Sequence, residues 1–103
     1  VSMHFIPGKQ ALNEMPRLGM RMILPAEYER VSWLGRGPQE NYADRKTGAL
    51  VGLYSATVWE QFHPYVRAQE TANHCDVRWV ALLRQDEYRI LFAASSLALP
   101  SYK

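Results

Sequence analysis

The sequence predicts an all-β fold, an antiparallel β-sandwich, from three observations. Apolar residues recur at every second position in segment after segment. Almost no stretch carries the 3.6-residue period of an amphipathic helix. Glycine and proline fall where the alternating runs stop, at Pro7–Gly8, at Gly35, Gly37 and Pro38, and at Pro100. Five or more short strands with turn signals between them suit two packed antiparallel layers.

Each element follows from its residues. Val1, Met3 and Phe5 alternate with Ser2 and His4, an opening strand that Pro7 and Gly8 end. A polar connection, Lys9–Pro16, leads to a second strand over Arg17–Leu24, where Leu18, Met20, Met22 and Leu24 share one face and Arg17 and Arg21 the other. Tyr28–Gly35 is the third, with Val31 and Trp33 opposite Arg30 and Ser32. Between Tyr42 and Phe62, Gly48 and Gly52 each weaken a helix by roughly 1 kcal/mol, yet the period is not cleanly two. That pattern predicts a short helical turn near Ala43–Thr47, then a loop and an irregular strand. Asp76–Arg84 has Val77, Trp79, Ala81 and Leu83 on one side and Val80 and Leu82 on the other, so it is expected to be buried on both faces. Tyr88, Ile90 and Phe92 resume the alternation after the polar turn Gln85–Glu87, closing a hairpin, and a last apolar piece, Leu97–Leu99, runs to Pro100.

Composition bounds the function. A chain of 103 residues has room for one small domain, so residues 1–103 are read as a single unit with no internal boundary. With 48% hydrophobic and 21% charged residues it is not a disordered chain. The longest apolar runs, Trp79–Leu83 and Ile90–Ala94, are far short of the ~20 residues of a membrane span, and Val1–Pro7 lacks the pattern of a secretory signal. Twelve basic against ten acidic residues give +2, too little to point to nucleic acid or a membrane surface as partner. Most of the basic residues are arginine, which favours bidentate pairs with carboxylates and so predicts polar cross-links between packed surfaces. The one cysteine, Cys75, cannot make an internal disulfide.

Few residues suggest chemistry. Glu40, Asp44 and Glu70 could be weighed as the paired carboxylates of a glycosidase, but sequence separation does not bring two acids to one bond, and the reading adopted ties each to an arginine or to turn amides. His63, His74 and Cys75 lack the spacing of a metal site, and Cys75 enters an apolar strand where it acts as a small hydrophobe. No cofactor is expected. Trp33 and Trp79 lie on the apolar sides of their strands and are assigned to packing. Trp59 and Tyr65, with Glu70 and His74, are the candidates for a sugar-facing surface, since flat apolar rings stack on sugar rings.

Two longer blocks carry a resemblance. Pro16–Met20 with Glu29–Arg45, which reads ERVSWLGRGPQENYADR, and then His63–Trp79, which reads HPYVRAQETANHCDVRW, resemble the C-terminal domain of the large bacterial β-galactosidases of glycoside hydrolase family two. Alanine stands at Ala68 and Ala72, where that family usually has proline and glycine. The alanine at 72 costs about 1 kcal/mol or more if the backbone there is left-handed.

The resemblance implies that the chain is part of a larger β-sandwich similar to sugar mutarotases, a partial domain spanning residues 1–103. It implies a bacterial parent enzyme, cytoplasmic in preference to periplasmic although the sequence leaves the compartment open, that hydrolyses terminal β-galactosides such as lactose. In that family the catalytic glutamates lie on a separate (β/α)₈ barrel, and the tryptophan lent to the galactose pocket lies in a stretch this sequence lacks. No position here then inherits a catalytic, magnesium or sodium role. The chain would serve as scaffold for the barrel and the mouth of the active site, with the remaining domains and further copies of the enzyme as partners. Glu40, Asp44, Arg45 and Arg78 would act as polar cross-links. Two alternatives are carried: a free-standing carbohydrate-binding sandwich using Trp59, Tyr65 and His74, and a mutarotase-like epimerase using His74 and Glu70 as acid and base. A sandwich sheet without its covering layer is also expected to self-associate.

Overall fold

The computed structural model describes residues 4–6, 8–9, 14, 17–85 and 89–94. The chain is all-β, built on one four-stranded antiparallel sheet in the order β2-β1-β3-β4. Its strands are β1 (Arg30–Gly37), β2 (Leu50–Thr57), β3 (Trp79–Leu83) and β4 (Arg89–Ala93). A 3₁₀ turn, Trp59–Gln61, follows β2. Among the described residues no helix is long and apolar enough to cross a membrane.

β1 is the axis of the sheet, pairing Trp33 with Tyr54 of β2 and with Val80 of β3, which in turn faces Phe92 of β4. Because successive side chains alternate across a strand, these four share one face. On that face Trp33 is 2% exposed. Its ring lies against Tyr54 and His74, at centroid distances of 5.6 and 4.2 Å. Gly35, also buried, lets the chain at Val77 approach: a Cβ there would come within 2.9 Å of Val77 Cα. Beyond Trp79 the pairing with β1 slips. Arg78 N donates to Leu34 O and Arg36 N to Cys75 O, while Asp76 takes a positive φ of 54°. This bulge swings residues 73–78 toward the loop after β1.

Several sequence expectations need correction. Arg17–Leu24 alternates as a strand should but joins no β-ladder among the described residues, and Leu18, Met20, Met22 and Ile23 are exposed. A period of two encodes two faces; it does not supply an edge to hydrogen-bond. The expected helical turn near Ala43–Thr47 is a non-helical turn at Ala43–Asp44, closed by a bridge between Tyr42 and Arg45, and the irregular strand after it is the regular eight-residue β2. The third strand starts at Arg30 and continues through Gly35 to Gly37. Asp76–Arg84 narrows to β3, half-buried throughout instead of buried on both faces, so Trp79 is not in the core with Trp33. His4–Ile6 is not strand, while Val1–Met3, most of Lys9–Pro16, Asp86 and Glu87 of the expected Gln85–Glu87 turn, Tyr88 and Leu97–Leu99 lie outside the described residues.

Candidate functional site

The polar residues gather at the Gly37 end of the sheet, where the loop after β1 meets residues 61–78. Two adjoining clusters form there. The first centres on Arg45. Its Nε donates to Glu40 Oε1 at 3.3 Å and to the Tyr65 hydroxyl at 3.1 Å. Nη2 reaches Glu40 Oε2 at 3.2 Å and the Glu70 carbonyl at 2.6 Å, and Nη1 reaches Asp44 Oδ1 at 3.0 Å. The guanidinium also lies 5.4 Å from the Tyr42 ring centroid and 5.1 Å from that of Tyr65. Tyr65 in turn donates its hydroxyl to Glu40 Oε1.

Glu40 is the acid at this node, its side chain only 8% exposed. Burial alone would raise its pKa. The bonds from Arg45 and Tyr65, with the nearby charges of Arg45 and His63, more than offset that and hold it below the usual value. The same pairing raises the pKa of the Tyr65 hydroxyl. A carboxylate so held stays ionised with both oxygens occupied, the opposite of what a proton-donating acid needs.

The second cluster centres on Asn41, which is fully buried. Its Oδ1 accepts from Cys75 N at 2.8 Å and its Nδ2 donates to Gln39 O at 3.0 Å. Asn41 N donates to Asn73 O, and Asn73 Nδ2 returns a bond to Asn41 O, both at 2.8 Å. Beside it His74 stacks on Trp33, with Nδ1 2.9 Å from the Arg36 carbonyl and Nε2 2.7 Å from the Gln61 side chain. Each ring nitrogen thus faces an oxygen acceptor, the Arg36 carbonyl and Gln61 Oε1. Desolvation pushes the His74 pKa down, although the Arg36 carbonyl and Glu40 pull the other way. A third tie closes the region: Arg36 Nε donates to Asp76 Oδ2 at 2.6 Å, and its Nη1 to the carbonyls of Ala49 and Lys46. That bond leads the causes that lower the Asp76 pKa.

The residues singled out from sequence are spread among these features. Tyr65 and Glu70 meet Arg45, Glu70 through its carbonyl, while the Glu70 carboxylate pairs with Arg17. His74 lies in the neighbouring cluster, and Trp59 is 84% exposed on the 3₁₀ turn. Tyr65 and Glu70 thus meet at Arg45, while His74 is bonded to Arg36 and Gln61. Glu40, Asp44 and Arg45 come together, whereas Arg78 stands apart and donates Nη1 to the Asp76 carbonyl at 2.6 Å. Among the described residues no three His, Cys, Asp or Glu side chains are placed to hold a metal ion.

Sequence reading assigned no part to Asn41, Gln61, Arg36 or Asp76. Asn41 follows Gly37 and Pro38 as any turn asparagine does. The only available signal was that it sits, like Arg36 and Asp76, inside the two blocks that carried the family resemblance.

A family model described as "Beta galactosidase small chain" matches residues 1–101. A β-galactosidase of Priestia megaterium is 45% identical over 73 residues, covering 71% of this chain and 7% of that protein. One from Vibrio cholerae is 48% identical over 67 residues, 65% of this chain and 6% of the relative. One from Arthrobacter is 46% identical over 69 residues, 67% of this chain and 7% of the relative. The chain thus spans less than a tenth of the length of these curated relatives.

Proposed function

The chain belongs to the β-galactosidase small-chain family, and from that premise we propose that it is a non-catalytic scaffold within a β-galactosidase. The parent reaction in this reading is the hydrolysis of terminal β-D-galactosides such as lactose with retention, two glutamates of another domain acting as nucleophile and acid/base. The remaining parts of the same polypeptide are the chain's partners, further copies complete an oligomer, and magnesium and sodium belong to those other parts.

The observation that carries this reading is the state of Glu40. The least exposed carboxylate of the polar cluster has both oxygens committed to Arg45 and Tyr65 and is held ionised. Arg45 binds together residues 40, 44, 65 and 70, which suits a brace for loops.

The test is Glu40→Gln in the full-length enzyme. Turnover of a chromogenic galactoside should stay within about twofold while the thermal midpoint drops, because the change leaves Arg45 half-buried and incompletely paired. A loss of turnover by a hundredfold with an unchanged midpoint would overturn the scaffold role.

The exposed indole of Trp59 favours one second reading, a sugar-binding surface. Titrating the chain with galactose decides it: saturable quenching of tryptophan fluorescence that disappears in Trp59→Ala supports the surface, and a flat titration removes it.

A further inference from the structure

A hollow opens where the Trp33 face of the sheet ends, beyond the last rung of the β1–β2 ladder. Val58 N donates to Glu29 O at 2.8 Å and so adds one more pair after Arg30 and Thr57. The chain then enters the 3₁₀ turn, whose Trp59 is 84% exposed. That turn is tied from several sides. Thr57 N–H and hydroxyl donate to Glu60 Oε2 at 2.7 and 3.0 Å, Glu60 N donates back to the Thr57 hydroxyl oxygen at 3.3 Å, and Gln61 N and Phe62 N donate to the carbonyls of Val58 and Trp59. An aromatic ring on a turn so fixed loses little backbone freedom when a ligand meets it.

The facing wall is the segment that leads into β1, turned by a bond from Tyr28 N to Pro25 O at 3.2 Å. With Trp59 and Leu82, residues Met22, Leu24, Tyr28 and Glu29 border a hollow of about 460 Å³. Small-molecule pockets run from roughly 300 to 1,000 Å³. Glu29 lies two positions before Val31, which places it on the same sheet face as Leu82, the partner of Val31 on β3. The hollow thus joins an apolar floor, a flat exposed ring and a carboxylate. The carboxylate repels phosphate and other anions and disfavours a wholly apolar occupant. Glu27 and Arg84 border Glu29 on its other side, but a carboxylate has about four lone-pair sites and accepts a hydroxyl even while paired. A pyranose divides its surface in the matching way, with hydroxyls at the edge and, in galactose, one side bearing only C–H bonds because the axial hydroxyl points to the other.

We propose that Trp59 and Glu29 form an accessory, non-catalytic site for a neutral galactoside, the C–H side of the ring stacked on the indole and its hydroxyls donating to the Glu29 carboxylate. The proposal rests on the second reading above, that Trp59 faces a sugar. It replaces the partners expected from sequence, since Tyr65, Glu70 and His74 are each bonded within the loop region, to Glu40, Arg17 and Gln61.

The test is photoaffinity labelling of the full-length enzyme with a non-hydrolysable thiogalactoside that carries a diazirine, mapped by peptide mass spectrometry. Label that excess galactose competes away is expected on residues 22–29 and 58–59. Trp59→Ala should lower the label on residues 22–29 at least tenfold and Glu29→Ala several-fold, with the thermal midpoint unchanged because both side chains are exposed. Competed label that is lost in Trp59→Ala but undiminished in Glu29→Ala overturns this site and leaves the sugar-facing reading of Trp59 standing. Label there that galactose does not reduce, or label found only elsewhere in the enzyme, overturns both.

Discussion

The loops and the sheet of this chain exchange their usual characters. Loops ordinarily run over the surface and sheets hold the core. Here Asn41 and Ala49, both in the connection from β1 to β2, are as well buried as Trp33, while Leu53 and Leu91 in the strands stand in the open. The difference lies in what each region is bonded to. The loop region closes on itself through Arg45, Asn41, His74 and Arg36, and no buried side-chain nitrogen or oxygen among the described residues lacks a partner. The outer face of the sheet satisfies its backbone through the ladder, but its side chains Leu53 and Leu91 stay exposed. Order in this chain therefore comes from polar cross-links at one end of β1 more than from a two-sided hydrophobic core.

The largest effect should come from breaking the buried loop cluster at its centre. Asn41→Ala leaves Cys75 N–H and the Gln39 carbonyl without their bonds in a buried site, for a loss of about 2–4 kcal/mol in urea-induced unfolding.

His74 sharpens the comparison through pH. Burial holds its pKa below 6.5 in the folded chain, so the unfolded chain binds the proton more readily. The stability that goes with the neutral ring is complete above pH 6.5 and is lost as pH falls through the lower folded value. Glu40 and Asp76, whose pKa values are also lowered, act in the same direction but only below the ordinary carboxylate range. Unfolding midpoints measured from pH 7.5 to 5.5 should fall, and His74→Gln should flatten that slope.

Ala72 lies on the same loop with φ of 59°, the left-handed conformation that costs a residue with a Cβ about 1 kcal/mol. The strain expected from an alanine at this position is thus present in the backbone. Ala72→Gly should stabilise the chain by about 1 kcal/mol or slightly less, because glycine also loses more freedom on folding. The smallest change belongs to the open face: Leu53→Asn should shift stability by no more than about 0.5 kcal/mol, read by the same unfolding curves. A loss there as large as that of Asn41→Ala would show that the sheet face is covered within the chain.

Much of the fold was legible in the residues. Val31 and Trp33 alternating with Arg30 and Ser32, and Ile90 and Phe92 with their neighbours, mark strands because extended backbone turns successive side chains to opposite sides, and that geometry is local. The blocks ERVSWLGRGPQENYADR and HPYVRAQETANHCDVRW carried the family assignment that the β-galactosidase small-chain match bears out. Arg17–Leu24 alternates as well as β1 does and yet joins no ladder among the described residues, because alternation is local and pairing is not.

The sequence by itself determined the all-β character, the two faces of each strand and the family. Only the tertiary structure decided which strand lies beside which. It also decided that Arg36 meets Asp76 across 40 residues of chain, that Asn41 meets Cys75 across 34, and that Glu40 is taken up by Arg45 and Tyr65. Alternation reflects the conformation of a few consecutive residues, whereas those bonds require the loop after β1 and the bulge at Asp76 to reach the same place. Loop closure sets that meeting, and no local pattern encodes it.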